Sequence, residues 1–176
     1  EKNKPVIFVS GHFANFELMS MEITKKNIKL ATIYRPLNNI FLNPFMEYLR
    51  KKYVCKNQIK KGLKGVKDTM EYINKNHSIA LMIDQRVSEG EKINFFNEKA
   101  FTTTLPAQLA LKFNMSIIPV FIQRERNNTF KLEFQNEINS ENFRDKTHLT
   151  EYLNKVLEKM ILKNPNQWIW THNRWK

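Results

Sequence analysis

The sequence predicts an α/β fold: a single domain, residues 1–176, with a mixed, largely parallel sheet flanked by helices. Three observations predict it. Short apolar runs of strand length (Val6–Val9, Ile79–Ile83 and Ile117–Ile122) are continuous rather than alternating, as in strands covered on both faces. Stretches with helical spacing of apolar residues alternate with these runs, the order that builds a parallel sheet through crossovers. A chain of 176 residues, 41% of them hydrophobic, is long enough to bury one core.

The elements follow in order. Val6-Ile7-Phe8-Val9 reads as a buried strand closed by a turn at Ser10-Gly11. Phe16 to Lys25 reads as a helix with a Met-rich apolar face. Leu30 to Tyr34 is a second strand, stopped by Pro36. Phe41, Leu42, Phe45, Met46 and Leu49 recur at helical spacing, and so do Leu63, Val66, Met70 and Ile73. The Lys-rich stretch from Lys51 to Lys67, the densest charge run, reads as a solvated face. Ile79 to Ile83 is a buried strand ending at Asp84. Phe95 and Phe96 lead to Phe101 and the Thr102-Thr103-Thr104 run. A helix is expected next, with Thr104 near its N-cap and Pro106 in its first turn. Ile117–Ile122 and Phe130–Phe134 are strands. Leu149, Tyr152, Leu153, Val156, Leu157, Met160 and Ile161 mark the strongest amphipathic helix, ended by Pro165. The tail, Trp168 to Lys176, alternates aromatic and polar residues. No internal repeat, low-complexity linker or second domain is evident.

Composition limits the function classes. With 29 Lys and Arg against 17 Asp and Glu, the formal charge is +12. Such a balance attracts nucleic acid, a membrane surface, an acidic protein or a phosphorylated substrate. An AT-rich coding sequence, with its bias to Lys, Asn and Ile, gives the same charge without any partner. One cysteine, Cys55, excludes an intramolecular disulfide framework and a cysteine-based zinc cluster. No apolar run approaches the roughly 20 residues of a membrane-spanning helix.

In an open α/β sheet, chemistry collects beyond the carboxyl ends of strands. The first polar cluster there is Gly11-His12-Phe13-Ala14-Asn15-Phe16-Glu17. His12 sits on the turn after a strand, and Glu17 falls early in the next helix. The turn can bring that carboxylate back to one imidazole nitrogen and leave the other to act as a general base. The spacing alone is weak evidence, and a structural histidine is the plain alternative. Position after a buried strand and before a helix is what raises it. The second cluster is Ile83-Asp84-Gln85-Arg86, which reads equally as an ordinary strand exit. The third is Tyr34-Arg35-Pro36, where Arg35 either clamps an anion or is solvated. No Ser-His-Asp order, Gly-rich phosphate loop or metal-ligand spacing appears.

Taken in order, Gly11-His12-x4-Glu17, Tyr34-Arg35-Pro36, Asp84-Gln85, Thr102-Thr103-Thr104, Ile118-Pro119-Val120 and the tail Trp168-Ile169-Trp170-Thr171-His172-Asn173-Arg174-Trp175-Lys176 resemble the late acyltransferases of lipid A biosynthesis in Gram-negative bacteria. Those enzymes belong to the wider lysophospholipid and glycerolipid acyltransferase superfamily. The resemblance covers nearly the whole chain and implies a glycerolipid-acyltransferase-like fold. It also implies transfer of a fatty acyl chain from an acyl carrier protein thioester to a hydroxyl of a phosphorylated lipid A precursor. It assigns His12 as general base and Glu17 as its partner. It points to Arg50 and Asp84 in the substrate site, with Arg35, Gln85, Thr103 and Arg174 at family-like positions. Backbone amides near Asn15, or a cleft arginine, are candidates for oxyanion binding.

No cofactor and no metal are implied, since a thiol leaves without one. Acyl carrier protein, the glycolipid acceptor and an anionic membrane surface are the implied partners, all drawn by positive charge. The implied location is the cytoplasmic face of the inner membrane. Family members usually carry a membrane-anchoring segment before the His motif, so this chain is expected to be a catalytic domain lacking it. Two alternatives stand beside this reading. One keeps the chemistry but takes a glycerophosphate, lysophospholipid or mannoside as acceptor. The other is a basic nucleic-acid-binding domain, for which no motif is present.

Overall fold

A computed structural model describes residues 4–87 and 90–176. The elements are β1 (Ile7–Ser10), α1 (Glu17–Lys25), β2 (Leu30–Tyr34), α2 (Leu42–Leu49), β3 (Asn57–Lys60), α3 (Leu63–Asn74), β4 (Ser78–Met82), β5 (Glu91–Phe95), β6 (Glu98–Thr102), α4 (Leu105–Phe113), β7 (Ile117–Arg124), β8 (Phe130–Phe134) and α5 (Lys146–Lys163). A π-helical turn, Arg50–Val54, continues α2. The class is α/β with mostly parallel strands, as the alternation predicts. The chain groups into two compact units, each described by itself. The first is Glu17–Leu81 with the lead-in up to Val6, and the second is Ile7–Phe16 with Met82–Lys176.

The first unit carries the strands β3-β2-β4 in that order, all parallel. Leu30, Ala31, Ile79 and Ala80 are buried on β2 and β4, and Met19 and Ile23 of α1 join them in the core. The strand β3 lies inside the Lys51–Lys67 run that the sequence reading left as a solvated face. Ile59 is what places it, only 1% exposed and paired beside Ile33. Gly65 is required where α3 crosses β3, since a Cβ there would sit 2.0 Å from the Lys60 carbonyl oxygen.

The second unit is built on β1-β7-β8, with β1 parallel and β8 antiparallel to β7. The strands β5 and β6 form a separate hairpin. Its two-residue turn, Phe96-Asn97, has positive φ at both positions (50° and 64°), the geometry that suits the right-handed twist of a hairpin. Helix α5 starts where Asp145 accepts the His148 amide at 2.8 Å. It buries Leu149, Leu153, Leu157, Met160 and Ile161, each worth about 1.5–3 kcal/mol relative to exposure. The same helix holds the hairpin: Glu158 accepts the Phe96 amide at 2.7 Å, and the Asn154 amide donates to the Asn94 carbonyl at 2.8 Å. Thr104 occupies the N-cap of α4 and Pro106 its first turn, as expected. The Thr104 hydroxyl does not cap, however, but takes the Gln108 amide at 2.9 Å. Among the described residues, no helix is long and apolar enough to cross a membrane.

Candidate active site

His12 stands on the turn that leaves β1. Two features force that turn. Gly11 has no room for a side chain, since a Cβ would lie 2.8 Å from the Phe13 ring and 3.0 Å from Leu157. Phe13 itself is fully buried, and its amide closes back on the Gly11 carbonyl at 2.8 Å. The chain after α5 then straps the turn. Phe13 bridges Trp168, the Ala14 amide donates to the Gln167 carbonyl at 2.8 Å, and the Ile169 amide donates to the His12 carbonyl at 3.1 Å.

The imidazole is partnered by Asp84. Nδ1 of His12 lies 2.7 Å from Asp84 Oδ1, and the His12 backbone N–H donates to Oδ2 at 2.8 Å. The Trp168 indole N–H donates to the same Oδ2 at 2.9 Å. Asp84 is 2% exposed, so these three donors replace its hydration. Burial alone would push its carboxyl up. The bonds from His12 and Trp168 and the charge of His12 outweigh that, and hold it below the usual carboxylate range.

With Asp84 ionised, a proton on Nδ1 is favoured, and Nε2 then carries a lone pair that can accept a proton. Gln85 Nε2 reaches that Nε2 at 3.3 Å, and Phe16 packs edge-on to the ring at 4.5 Å between centroids. The His12 side chain keeps 15% exposure, enough to meet a substrate.

This corrects one expectation. Asp84, not Glu17, is the carboxylate on Nδ1. Glu17 opens α1 in the first unit, where the Arg50 guanidinium takes it. Arg50 Nε and Nη2 both donate to Glu17 Oε1, at 2.8 and 2.7 Å. Arg50 also lies over the Tyr34 ring at 5.5 Å, and its Nη1 is buried with no acceptor among the described residues. Glu47 completes the group. It accepts from Tyr34, from Asn43 at 2.8 Å and from Lys60 at 3.0 Å, and these donors draw its carboxyl down to about 2. Burial first, and then the Glu47 carboxylate, push the Tyr34 phenol up. Arg35, just beyond β2, is exposed.

Asn15 is exposed on the His12 turn. Thr103 is half-buried, its hydroxyl 3.4 Å from the Leu105 amide. Arg174 departs from the expected substrate contact. It is fully buried, with its guanidinium 4.0 Å above the Phe95 ring and Nη2 donating to Thr102 at 2.9 Å and Asn154 at 3.3 Å. Its Nε and Nη1 meet no acceptor among the described residues. Burial lowers its pKa to about 10, and the charges of Asp84 and Glu158 pull it back up. The sequence reading missed Trp168 as a site residue, although a buried indole requires an acceptor for its N–H. Among the described residues, no group of three His, Cys, Asp or Glu is placed to hold a metal ion.

Comparison with known proteins follows the same lines. Among solved structures, the chain is similar to the 1-acyl-sn-glycerophosphate (LPA) acyltransferase PlsC from Thermotoga maritima. The TM-score is 0.60 at 14% identity, over 96% of this chain and 70% of that one. At that identity the likeness is one of fold. No curated protein matches the chain. Residues 1–176 match the family model of the bacterial lipid A biosynthesis acyltransferases. The chain, with its His12-bearing turn and mostly parallel α/β fold, belongs to that family of acyltransferases.

Proposed function

We propose that this acyltransferase moves a fatty acyl chain from an acyl carrier protein thioester to a hydroxyl of a phosphorylated lipid A precursor, at the cytoplasmic face of the inner membrane. The observation that carries the mechanism is the 2.7 Å contact between His12 Nδ1 and buried Asp84. It leaves Nε2 of His12 as the base. Nε2 takes the proton of the acceptor hydroxyl as its oxygen attacks the thioester carbonyl carbon. A C–O bond forms and the carbonyl becomes an oxyanion. Asp84 stabilises the imidazolium meanwhile. The C–S bond then breaks, the thiolate takes the proton from His12, and an ester and a free thiol result.

The other proposed residues bind. Arg50, oriented by Glu17, is the proposed contact for a substrate phosphate, because a guanidinium fork matches phosphate geometry. Arg35 is proposed to add exposed positive charge for the same anionic acceptor. Backbone amides around Asn15 are proposed donors to the oxyanion, and Gln85 and Thr103 are proposed polar contacts. Gln85 occupies the lone pair that the acceptor hydroxyl takes over.

The test is transfer measured with an acyl carrier thioester and a panel of acceptors: a tetraacyl lipid A precursor, a lysophosphatidic acid and a mannoside. His12→Ala is expected to remain folded and lose transfer. Wild-type rates from that variant would sink the mechanism. A preference for lysophosphatidic acid, the acceptor class named for PlsC, would move the chain to the glycerolipid reading.

A further inference from the structure

The polarity of α2 is inverted. Its polar side chains turn inward. Asn43 and Glu47 bond each other at 2.8 Å, and Glu47 reaches Tyr34 and Lys60. Arg50, on the following π-helical turn, reaches Glu17. Its apolar side chains divide: Met46 and Leu49 are half-buried, and the rest turn outward. Phe41 is 87% exposed, Phe45 55% and Tyr48 55%, and Leu42 lies beside them. No residue of α2 is buried. Phe41, Phe45, Tyr48 and Lys52 stand at i, i+4, i+7 and i+11, so they share one face. Ile40, just before the helix, is 75% exposed as well.

Positive charge follows at once. Lys51, Lys52 and Lys56 are exposed, and no acidic residue occurs from Lys51 to Lys67. Lys52 lies over the rings of Tyr48 and Tyr53, at 5.5 and 5.1 Å. A helix that presents aromatics to water costs free energy unless another apolar phase covers them.

The geometry points to this face (Phe41, Phe45 and Tyr48, with Lys51 and Lys52 beside them) as a docking surface for an anionic lipid bilayer. Phenylalanines enter the acyl boundary, tyrosines sit at headgroup level, and lysines remain with the lipid phosphates. The rings share one face and lysines flank it, which matches how interfacial helices partition. The positive charge selects an anionic bilayer over a neutral one. An acidic protein would account for the lysines but not for the row of exposed aromatics. The choice of a bilayer as occupant rests on the lipid A reading.

The test is co-sedimentation of the chain with vesicles of phosphatidylethanolamine and phosphatidylglycerol, or of phosphatidylcholine alone. Wild type is expected to bind the anionic vesicles at least tenfold more tightly. The Phe41→Ser/Phe45→Ser variant is expected to lose binding to both. Lys51→Ala/Lys52→Ala is expected to lose most of the anionic preference. Transfer to detergent-dispersed acceptor is expected to be unchanged in both variants.

Vesicle binding unaltered by the Phe variant would overturn the proposal. So would a wild type that binds no vesicle. A wild-type dimer in light scattering that the Phe variant dissolves would assign the face to a second copy. Acyl carrier protein binding abolished by the same variant would assign it to that protein. Either outcome overturns the lipid assignment. Absence of transfer in detergent by the wild type counts against the reaction proposed above, and vesicle binding still reads this surface.

Discussion

Trp168 and His12 share one carboxylate oxygen. The indole N–H of Trp168 and the backbone N–H of His12 both donate to Asp84 Oδ2, at 2.9 and 2.8 Å, while the imidazole takes Oδ1. Trp168→Phe removes one donor to a buried anion and puts a smaller ring in place of the indole. Hydrogen bonds to charged groups contribute about 1.5–3 kcal/mol, so a loss of that size is expected in thermal or denaturant unfolding. Transfer is expected to fall as well, because the carboxylate that orients the imidazole is held less firmly.

Asp84→Asn tests the base itself. An amide donates or accepts at Nδ1 without regard to tautomer and carries no charge, so transfer is expected to fall by about 10²–10⁴-fold. The pH dependence of stability has a definite sign. The folded pKa of Asp84 lies below its ordinary 3.8, so its contribution is complete above that value and is lost as pH falls through the lower folded one. The difference in melting temperature between wild type and Asp84→Asn is expected to be constant near neutral pH and to narrow in acid below 3.8. A gap that widens there would contradict the pairing.

Arg50→Lys keeps the charge and loses the fork. Arg50 uses two nitrogens on Glu17, and a lysine has only one. The expected result is at least a roughly tenfold rise in KM for a phosphorylated acceptor with a smaller change in kcat, by the usual cost of a charge-assisted bond. An acceptor stripped of its phosphate is expected to be insensitive to the substitution. Equal losses on both acceptors would place Arg50 elsewhere in the mechanism.

Arg174 is a fully buried cation, two of whose nitrogens meet no acceptor among the described residues. Replacing a buried charge by an apolar side chain of similar length is often neutral or stabilising by about 1–4 kcal/mol. Arg174→Met is therefore expected to melt no lower than wild type. Because the charges of Arg174 and Asp84 interact, removing the cation is expected to raise the carboxyl's pKa. A melting temperature far below wild type would show that the guanidinium holds the hairpin through Thr102 and Asn154.

Most of the elements were legible because their signals are local. Continuous apolar runs marked β1, β2, β4 and β7, and the 3.6-residue period marked α5. The strand β3 was not legible: its four residues, Asn57–Lys60, hold a single apolar side chain, and the surrounding lysines dominate any window. The hairpin turn was hidden because Phe96, a residue rarely found at positive φ, sits where Gly or Asn is expected. At the site, His12 and Asp84 were each visible as residues on turns after strands. Their pairing was not, because spacing along the chain favoured Glu17, whereas Asp84 arrives through the fold from 72 residues away. The stripe Phe41, Leu42, Phe45 was read correctly as a helix, but periodicity does not say which side the stripe faces.

The strap on the His12 turn also imposes an order of events on synthesis. His12 leaves the ribosome first, Asp84 follows 72 residues later, and Trp168 a further 84 after that. The amide contacts of Gln167 and Ile169 with the turn come last as well. A nascent chain therefore lacks the last ties on this turn until translation has passed residue 169. The turn that carries His12 is thus tied down by the last part of the chain to emerge.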